Sequence, residues 1–308
     1  MLANFLNKSK PINFIVFLIF FFIAFIFTVY NAFFTDKFLI DSLLKSGAIL
    51  LLFLFIFFLF NFISTKNKLT FDNSYDYFFY TILVVLILPK LIEYNVLILS
   101  VIYLVFLRKI YSLHSSKKML AKLFDSGFWL GIFFILEPTS GLLFLLIYIA
   151  VYVHNKITIH TIFAPIIGFL TPLVVYFTYY FWYDRLEEFT SIFNFDINFD
   201  LQFYAQTKYL IILISVFVLT VFSMFFKSIK AFSVNNTFKK SWTLLIYNFI
   251  VLLFFVSFLP NKNGSEIIYI FFPIAIILAN GIELIKKNVL KNMVLYLFLI
   301  SVVIHFLL

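Results

Sequence analysis

The sequence predicts an all-α fold, a polytopic integral membrane protein with about eleven transmembrane helices. Of the 308 residues, 64% are hydrophobic and only 12% are charged. The mean hydropathy of +1.09 is far above that of soluble globular domains. The basic residues lie mostly in short segments between apolar runs. These three observations predict a single helical membrane domain over residues 1–308.

The apolar runs define the individual elements. Each should be a helix, because open strands would leave backbone groups unpaired in hydrocarbon, and the runs lack the strict alternation of a barrel. The first run follows Lys8 and Lys10 and is too long for a signal-peptide core, so we interpret it as a retained anchor. The runs lie at residues 12–30, 46–64, 76–89, 95–108, 124–136, 142–154, 160–182, 208–226, 241–259, 267–285 and 292–308.

The seventh run differs from the others because it contains Pro165, Gly168 and Pro172. Proline inside a membrane helix frees a backbone carbonyl and bends the chain, so a kink or a local unwinding is predicted here. A transporter could use such a break as an ion site, but a bend that serves only packing is the favoured interpretation, since no acidic residue accompanies the prolines.

The charge distribution predicts an N-in, C-out orientation. Most of the 23 lysines and arginines fall in alternate loops on one side, including a basic loop at residues 108–122. The positive-inside rule places these loops in the cytoplasm. Most of the 14 acidic residues fall on the other side, where residues 183–207 form the longest outer loop. The basic loop is expected to anchor the topology, with a specific lipid or partner site as the alternative.

Several classes of function are excluded or lack support. The net charge of +9 does not indicate nucleic-acid binding, because the basic residues are dispersed among topological loops. There are no cysteines, so disulfides, thiolate metal sites and a cysteine nucleophile are excluded. The four histidines lack metal-ligand spacing, and no phosphate-binding loop or common hydrolase signature occurs.

The runs from 76 to 154 predict two short central hairpins. Each of the four runs has about 13 residues, whereas a spanning helix needs about 20. If their inner ends are held at the inner surface, the turns at 89–95 and 137–141 lie below the outer surface and line an outward-facing basin. Lys90, Glu93 and Glu137 would lie on its floor. Alternatively the helices continue through polar residues, and Glu137 is an ordinary interfacial turn residue.

Acidic residues on the outer side are candidates for chemistry. A carboxylate facing a basin could act as a general base on an acceptor hydroxyl, or hold a divalent cation against a phosphate. Basic residues there could take the charge of a lipid phosphate. The alternative is that topology alone leaves acids on this side. The candidate catalytic residues are Asp36 and Asp41, and the candidate substrate-binding residues are Lys90, Glu93, Glu137, Arg185 and Lys262.

The chain resembles the GT-C type of membrane glycosyltransferase, which includes lipid-sugar polymerases. An acid follows the first helix, short hairpins lie in the middle, and a late outer loop occurs in "LPNKNGSEIIYIFFPIAIILANGIE". The resemblance implies that Asp36 or Asp41 is the catalytic base and that sugar arrives on a polyprenyl phosphate. This first outer loop is short, however, and lacks the adjacent pair of acids.

The stretch "FAPIIGFLTPLVVYFTYYF" at residues 163–181 is similar to a bacterial membrane-protein family known only as a domain of unknown function. The GT-C resemblance implies a location in the bacterial inner membrane and a role with lipid-linked sugars in cell-envelope assembly, whereas the second resemblance brings no assigned activity. The alternative is a non-catalytic subunit of an inner-membrane complex, which would contact other subunits as well as the bilayer. A transporter comes third, because charges near the bilayer midplane are scarce.

Overall fold

Helices make up all the regular structure of the residues that the computed structural model describes, which are 1–34, 40–115, 117–195, 204, 207–231, 236–260 and 262–307. The first seven α-helices are α1 (Leu2–Leu6), α2 (Pro11–Phe33), α3 (Ile40–Lys66), α4 (Tyr75–Leu86), α5 (Tyr94–Tyr111), α6 (Met119–Leu136) and α7 (Phe144–Val153). The rest are α8 (Ile159–Trp182), α9 (Leu186–Ser191), α10 (Thr207–Ala231), α11 (Asn236–Phe258), α12 (Ile268–Ile282) and α13 (Asn288–Leu307). Short 3₁₀ turns adjoin α4, α5, α7 and α12.

Each of the eleven predicted runs coincides with a helix. Within the described residues, eight helices are long and apolar enough to cross a membrane, and three apolar helices are shorter. The chain is thus a multi-pass membrane protein by length and composition, while the count of eleven spans stays a prediction. The shorter three are Tyr75–Leu86, Pro138–Val153 and Asn288–Ile304.

The prediction of four short central helices was right for α4 and α7 and wrong for α5 and α6. The first two have 12 and 10 residues, but α5 and α6 each have 18. The longer helices extend beyond the apolar run through Tyr and Lys residues among others, because helical hydrogen bonding does not require an apolar side chain. At these extensions the Lys109 ammonium lies 2.6 Å from an Asp125 carboxylate oxygen.

The chain forms two compact units. The first comprises Met1–Leu97, Leu201–Val234 and Asn263–Leu308, and the second comprises Ile98–Asp200 and Asn235–Lys262. The core of the first unit is the short helix α4, all twelve residues of which are buried. It packs against α12, α2 and α13. The Tyr80 ring stacks on Phe60 with 3.9 Å between ring centroids. A short helix can be this apolar because neighbouring helices cover every side of it.

Several helix ends that the charge pattern assigns to the inner side meet at one end of the first unit. The Tyr75 hydroxyl at the start of α4 donates to the Ala3 carbonyl over 2.9 Å. The Ala3 backbone N–H donates to Asn292 in α13 over 2.8 Å. The Asn280 amide near the end of α12 donates to the Leu69 carbonyl over 2.9 Å. This end is therefore held by polar contacts between distant segments.

The second unit is built on an unusually close crossing of α6 and α8. A Cβ atom on Gly127 would lie 2.0 Å from the Pro165 carbonyl oxygen, and one on Gly168 would lie 2.1 Å from the Phe124 carbonyl oxygen. Only glycine lets two helix backbones approach this closely. The same crossing accounts for the prolines of α8, since Pro172 packs on Gly131 of α6. Because α8 is continuous from Ile159 to Trp182, the expectation of a local unwinding was wrong, whereas the kink stays a prediction.

Candidate functional site

The candidate catalytic acids lie in or beside the connection between α2 and α3. Asp36 is outside the described residues, as are the outer-loop residues Asp196 and Asp200. Asp41 lies in the first turn of α3 and is exposed. A carboxylate in the first turn of a helix is stabilised by the partial positive charge of the free N–H groups there. That explanation suffices for Asp41 without any catalytic role, so its role as a base stays a prediction.

The candidate binding residues are divided between the two units. Lys90 ends a 3₁₀ turn at Leu88–Lys90 in the first unit, and Glu93 follows it on the surface. Glu137, Arg185 and Lys262 belong to the second unit. Glu137 directly precedes Pro138 and Thr139, which line an apolar groove.

Glu137 is half-buried at the C-terminal end of α6. Its backbone N–H donates to the Phe133 carbonyl over 2.8 Å, and the Thr139 hydroxyl donates to its carboxylate over 2.8 Å. Burial raises the pKa of the Glu137 carboxyl above its ordinary value, and the hydrogen bond from Thr139 opposes that rise. The group is therefore easier to protonate than a carboxyl in water, so it can donate as well as accept a hydrogen bond.

An apolar groove begins beside Glu137. Its volume is about 560 Å³, and the 3₁₀ turn Pro138–Leu143 forms part of its wall. Gly141 in that turn faces the Phe134 ring, where an added Cβ would lie 3.3 Å from the ring carbons. The lining residues are Phe134, Pro138, Thr139, Gly141, Leu142, Phe144, Leu145, Tyr148, Phe195 and Phe258.

The segment around α9 packs against Phe134 at the end of α6. Phe134 lies 6.0 Å from Phe193 and 6.3 Å from Phe195, measured between ring centroids. Arg185 occupies the position before α9 and pairs with Glu188 over 2.8 Å, with both side chains largely exposed. An exposed pair of this kind contributes little to stability. The Arg185 guanidinium can therefore exchange this partner for a phosphate at small cost.

The arrangement around Glu137 suits an amphipathic ligand. The groove offers apolar side chains to a hydrocarbon chain, and Glu137 with Thr139 offers hydrogen bonds to a polar group at its edge. Ligand sites commonly combine an apolar lining with a few placed polar groups. In the described part of the chain, no three His, Asp or Glu side chains come close enough to hold a metal ion together.

Sequence reasoning missed a buried polar network at one end of the first unit. The Lys227 ammonium lies 2.7 Å from the Glu283 carboxylate, which also accepts a hydrogen bond from the Asn73 amide. Nearby, the buried Asp76 carboxylate accepts a hydrogen bond from the Ser64 hydroxyl. The sequence feature that indicated this network was the presence of ionisable residues at the edges of apolar runs. Such residues are costly there and usually have a function or a partner.

Comparison with known proteins identifies a family and no activity. No curated protein and no solved structure matches the chain. The resemblance to GT-C glycosyltransferases therefore rests on the sequence features given above. The model of a family of unknown function, DUF6427, matches residues 1–308. The chain belongs to this family of unknown function.

Proposed function

We propose that the protein handles a lipid-linked substrate whose hydrocarbon chain occupies the groove beside Glu137. The observation that supports this most strongly is a half-buried carboxyl at the edge of an apolar groove of about 560 Å³. Polyprenyl-phosphate-linked sugars have the required chemistry, because a long flexible hydrocarbon joins a phosphate and a row of hydroxyl groups. The GT-C resemblance of the sequence points to the same class of substrate.

Selectivity in such a site must come from its polar edge. A bilayer is about as apolar as the groove, so moving a hydrocarbon chain from lipid into the groove gains little free energy from the hydrophobic effect. Polar contacts contribute more, because a hydrogen bond to a charged group is worth about 1.5–3 kcal/mol. In our proposal, Glu137 in its protonated form donates to a phosphate oxygen, or in its ionised form accepts from a sugar hydroxyl.

Transfer of the sugar would need a base and a group that takes up the phosphate charge. Asp36 and Asp41 stay the candidate bases that the sequence predicts, and Lys90, Glu93, Arg185 and Lys262 stay predicted substrate contacts. The carboxylate would take the proton of an acceptor hydroxyl while the acceptor oxygen bonds to the anomeric carbon of the sugar and the bond from that carbon to the phosphate oxygen breaks. A divalent cation could assist the leaving phosphate.

The groove is tested with a photoactivatable polyprenyl phosphate and a matched pair of glycine variants. Gly141→Leu places a side chain in the groove, whereas Gly47→Leu lies where a Cβ has nothing within 4 Å. We expect wild type and Gly47→Leu to crosslink at residues of the groove, and Gly141→Leu to lose most of that crosslinking. Equal labelling of Gly141→Leu and wild type would refute the groove as the binding site.

The catalytic part of the proposal has a separate test. Asp36→Asn and Asp41→Asn keep the size of each side chain and remove its ability to act as a base. We expect at least one of them to abolish complementation of a deletion strain at an unchanged protein level. Complementation by both single variants and by the double variant would remove sugar transfer from the proposal but would leave lipid binding in place.

A non-catalytic subunit of an inner-membrane complex is the second candidate. It is favoured by α10, because only 17% of its most apolar window is buried within the chain, against 94% for Ser265–Ile282. A partner helix could cover this face. Gentle purification followed by native mass spectrometry would then recover a complex of fixed stoichiometry, whereas a monomer that retains lipid-linked sugar would support the first proposal.

A further inference from the structure

A second pocket lies in the first unit, where α2 begins, α3 ends and α4 begins. Its volume is about 450 Å³, and its lining is more polar than that of the groove beside Glu137. Hydroxyl and amide side chains come from α3 and from the residues before α4, and two aromatic rings come from α2 and α4. The residues that matter most are Lys10, Phe14, Asn61, Thr65, Asp76 and Tyr77.

Asp76 provides a buried negative charge for this pocket. The residue is 4% exposed. Its carboxylate accepts hydrogen bonds from the Ser64 hydroxyl and, over 2.8 Å, from the Tyr77 backbone N–H. Within the described residues no basic side chain forms an ion pair with it. A buried carboxylate without a cationic partner is costly, and a bound cation would remove that cost.

The aromatic walls indicate what kind of cation the pocket would take. The rings of Phe14 and Tyr77 pack on one another, with 4.5 Å between their centroids and a tilt of 32°. Tyr77 is almost fully buried, and its hydroxyl has no hydrogen-bond partner within the described part of the chain. Aromatic faces attract an organic ammonium group through their quadrupole. A hydrated metal ion would gain less from these walls.

Lys10 adds the opposite charge at the mouth of the pocket. It is exposed and immediately precedes α2, where the helix dipole also favours an anion. The mouth is continuous with the lipid-facing side of α2, because Ile15 lines the pocket and is 50% exposed. The adjacent Ile12 and Ile19 on α2 are 52% and 55% exposed.

We propose that this pocket binds the headgroup of a zwitterionic phospholipid with a primary amine. The ammonium lies against Asp76, Tyr77 and Phe14, the phosphate lies at Lys10 and the start of α2, and the acyl chains follow the exposed face of α2. A primary ammonium fits better than a quaternary one because it can donate hydrogen bonds to the Asp76 carboxylate. An anionic phosphatidylglycerol headgroup has no cation to offer Asp76.

The test measures which lipids stay bound to the full chain. The protein is reconstituted with equal amounts of phosphatidylethanolamine, phosphatidylcholine and phosphatidylglycerol, released into detergent and analysed by native mass spectrometry. We expect phosphatidylethanolamine to be retained preferentially. Asp76→Asn should lower this preference by about tenfold, which corresponds to one charge-assisted hydrogen bond, and Asp72→Asn, at an exposed acid close by, should not change it.

Two further variants keep the test valid if Asp76→Asn does not fold. Lys10→Glu alters an exposed side chain, and it should weaken retention of phosphatidylethanolamine, whereas Lys8→Glu at a second exposed lysine should not. Equal retention of the three lipids by wild type would overturn the proposal. If soluble phosphoethanolamine displaces the lipid at the same concentration as short-chain phosphatidylethanolamine, the acyl-chain path along α2 is wrong and the pocket binds the headgroup alone.

Discussion

The Lys227 ammonium lies 2.7 Å from the Glu283 carboxylate, and the two side chains are only 4% and 13% exposed. The same ammonium lies 4.8 Å from the centroid of the Phe71 ring. Lys227 belongs to α10, Glu283 follows the last residue of α12, and Phe71 precedes α4. One ion pair therefore connects three segments that are far apart in the sequence.

Breaking this pair from one side should destabilise the protein strongly. Lys227→Met leaves a buried carboxylate without its cation, and Glu283→Gln leaves a buried ammonium, each at a cost of about 3–5 kcal/mol. Replacing both residues removes both charges and should cost less than either single change. Thermal unfolding in detergent measures the three variants, and additive losses in the double variant would contradict the pairing.

The close crossing of α6 and α8 should not tolerate side chains at its glycines. In Gly127→Leu the new Cβ would overlap the Pro165 carbonyl oxygen, which belongs to the backbone and cannot move aside. Overpacking costs about 1–3 kcal/mol, and separating two helices adds to that. We expect a lower melting temperature and a lower yield of folded protein.

Gly47→Leu is the matched control for this experiment, because a Cβ at residue 47 has nothing within 4 Å. It makes the same chemical change on a lipid-facing helix and should leave the melting temperature nearly unchanged. Gly168→Leu should resemble Gly127→Leu, since its Cβ would meet the Phe124 carbonyl oxygen at 2.1 Å. If all three variants melt alike, the crossing is looser than the structure shows.

His154 should make stability fall in mild acid. It follows the last residue of α7, and burial, together with the cationic Lys156 and Lys240 and with His114, lowers the pKa of its imidazole to about 4. In the unfolded chain the pKa is about 6.5. The unfolded state therefore takes up a proton first, and stability decreases as the pH falls from about 6.5 towards 4, by up to about 3 kcal/mol in total.

The control for this prediction is His154→Phe, which cannot take up a proton. Melting temperatures of wild type and variant are compared at neutral pH and in mild acid, so that carboxyl groups, which also titrate in this range, cancel from the difference. The melting temperature of the variant minus that of wild type should increase as the pH falls. If this difference in melting temperature does not change with pH, the lowered pKa of His154 is contradicted.

The predicted orientation can be tested by cysteine accessibility, because the chain has no native cysteine. Lys117→Cys lies in the basic loop between α5 and α6, and Glu187→Cys lies in α9. An impermeant maleimide applied to intact cells should label residue 187, and it should label residue 117 only after permeabilisation. The reverse pattern would invert the topology and place the groove beside Glu137 on the cytoplasmic side.

Part of the candidate site could be foreseen from the sequence. Glu137 between two apolar runs had to lie near a turn, because a charge inside a lipid-facing helix is too costly, and the structure places it at the end of α6. The apolar groove beside it could not be predicted. It depends on the 3₁₀ turn after Glu137 and on Phe195 from a distant segment packing near Phe134.

The sequence contains a pattern that indicates close packing of α6, although amino-acid composition alone does not show it. Residues 127–131 read "GFWLG", a pair of glycines at the spacing that brings two membrane helices together. Which helix packs against such a pair of glycines depends on contacts between segments that are distant in the sequence, so the sequence does not identify it.

By itself the sequence determined that this chain is helical and crosses a membrane several times, because hydrocarbon forces each apolar segment to satisfy its own backbone. It also predicted which loops share a side, since charge crosses a bilayer at high cost. Only the tertiary structure decided that α4 is a buried core helix, that Lys227 pairs with Glu283, and that Asp76 faces a pocket with Lys10. Those outcomes depend on contacts between segments up to hundreds of residues apart, and local composition does not specify such contacts.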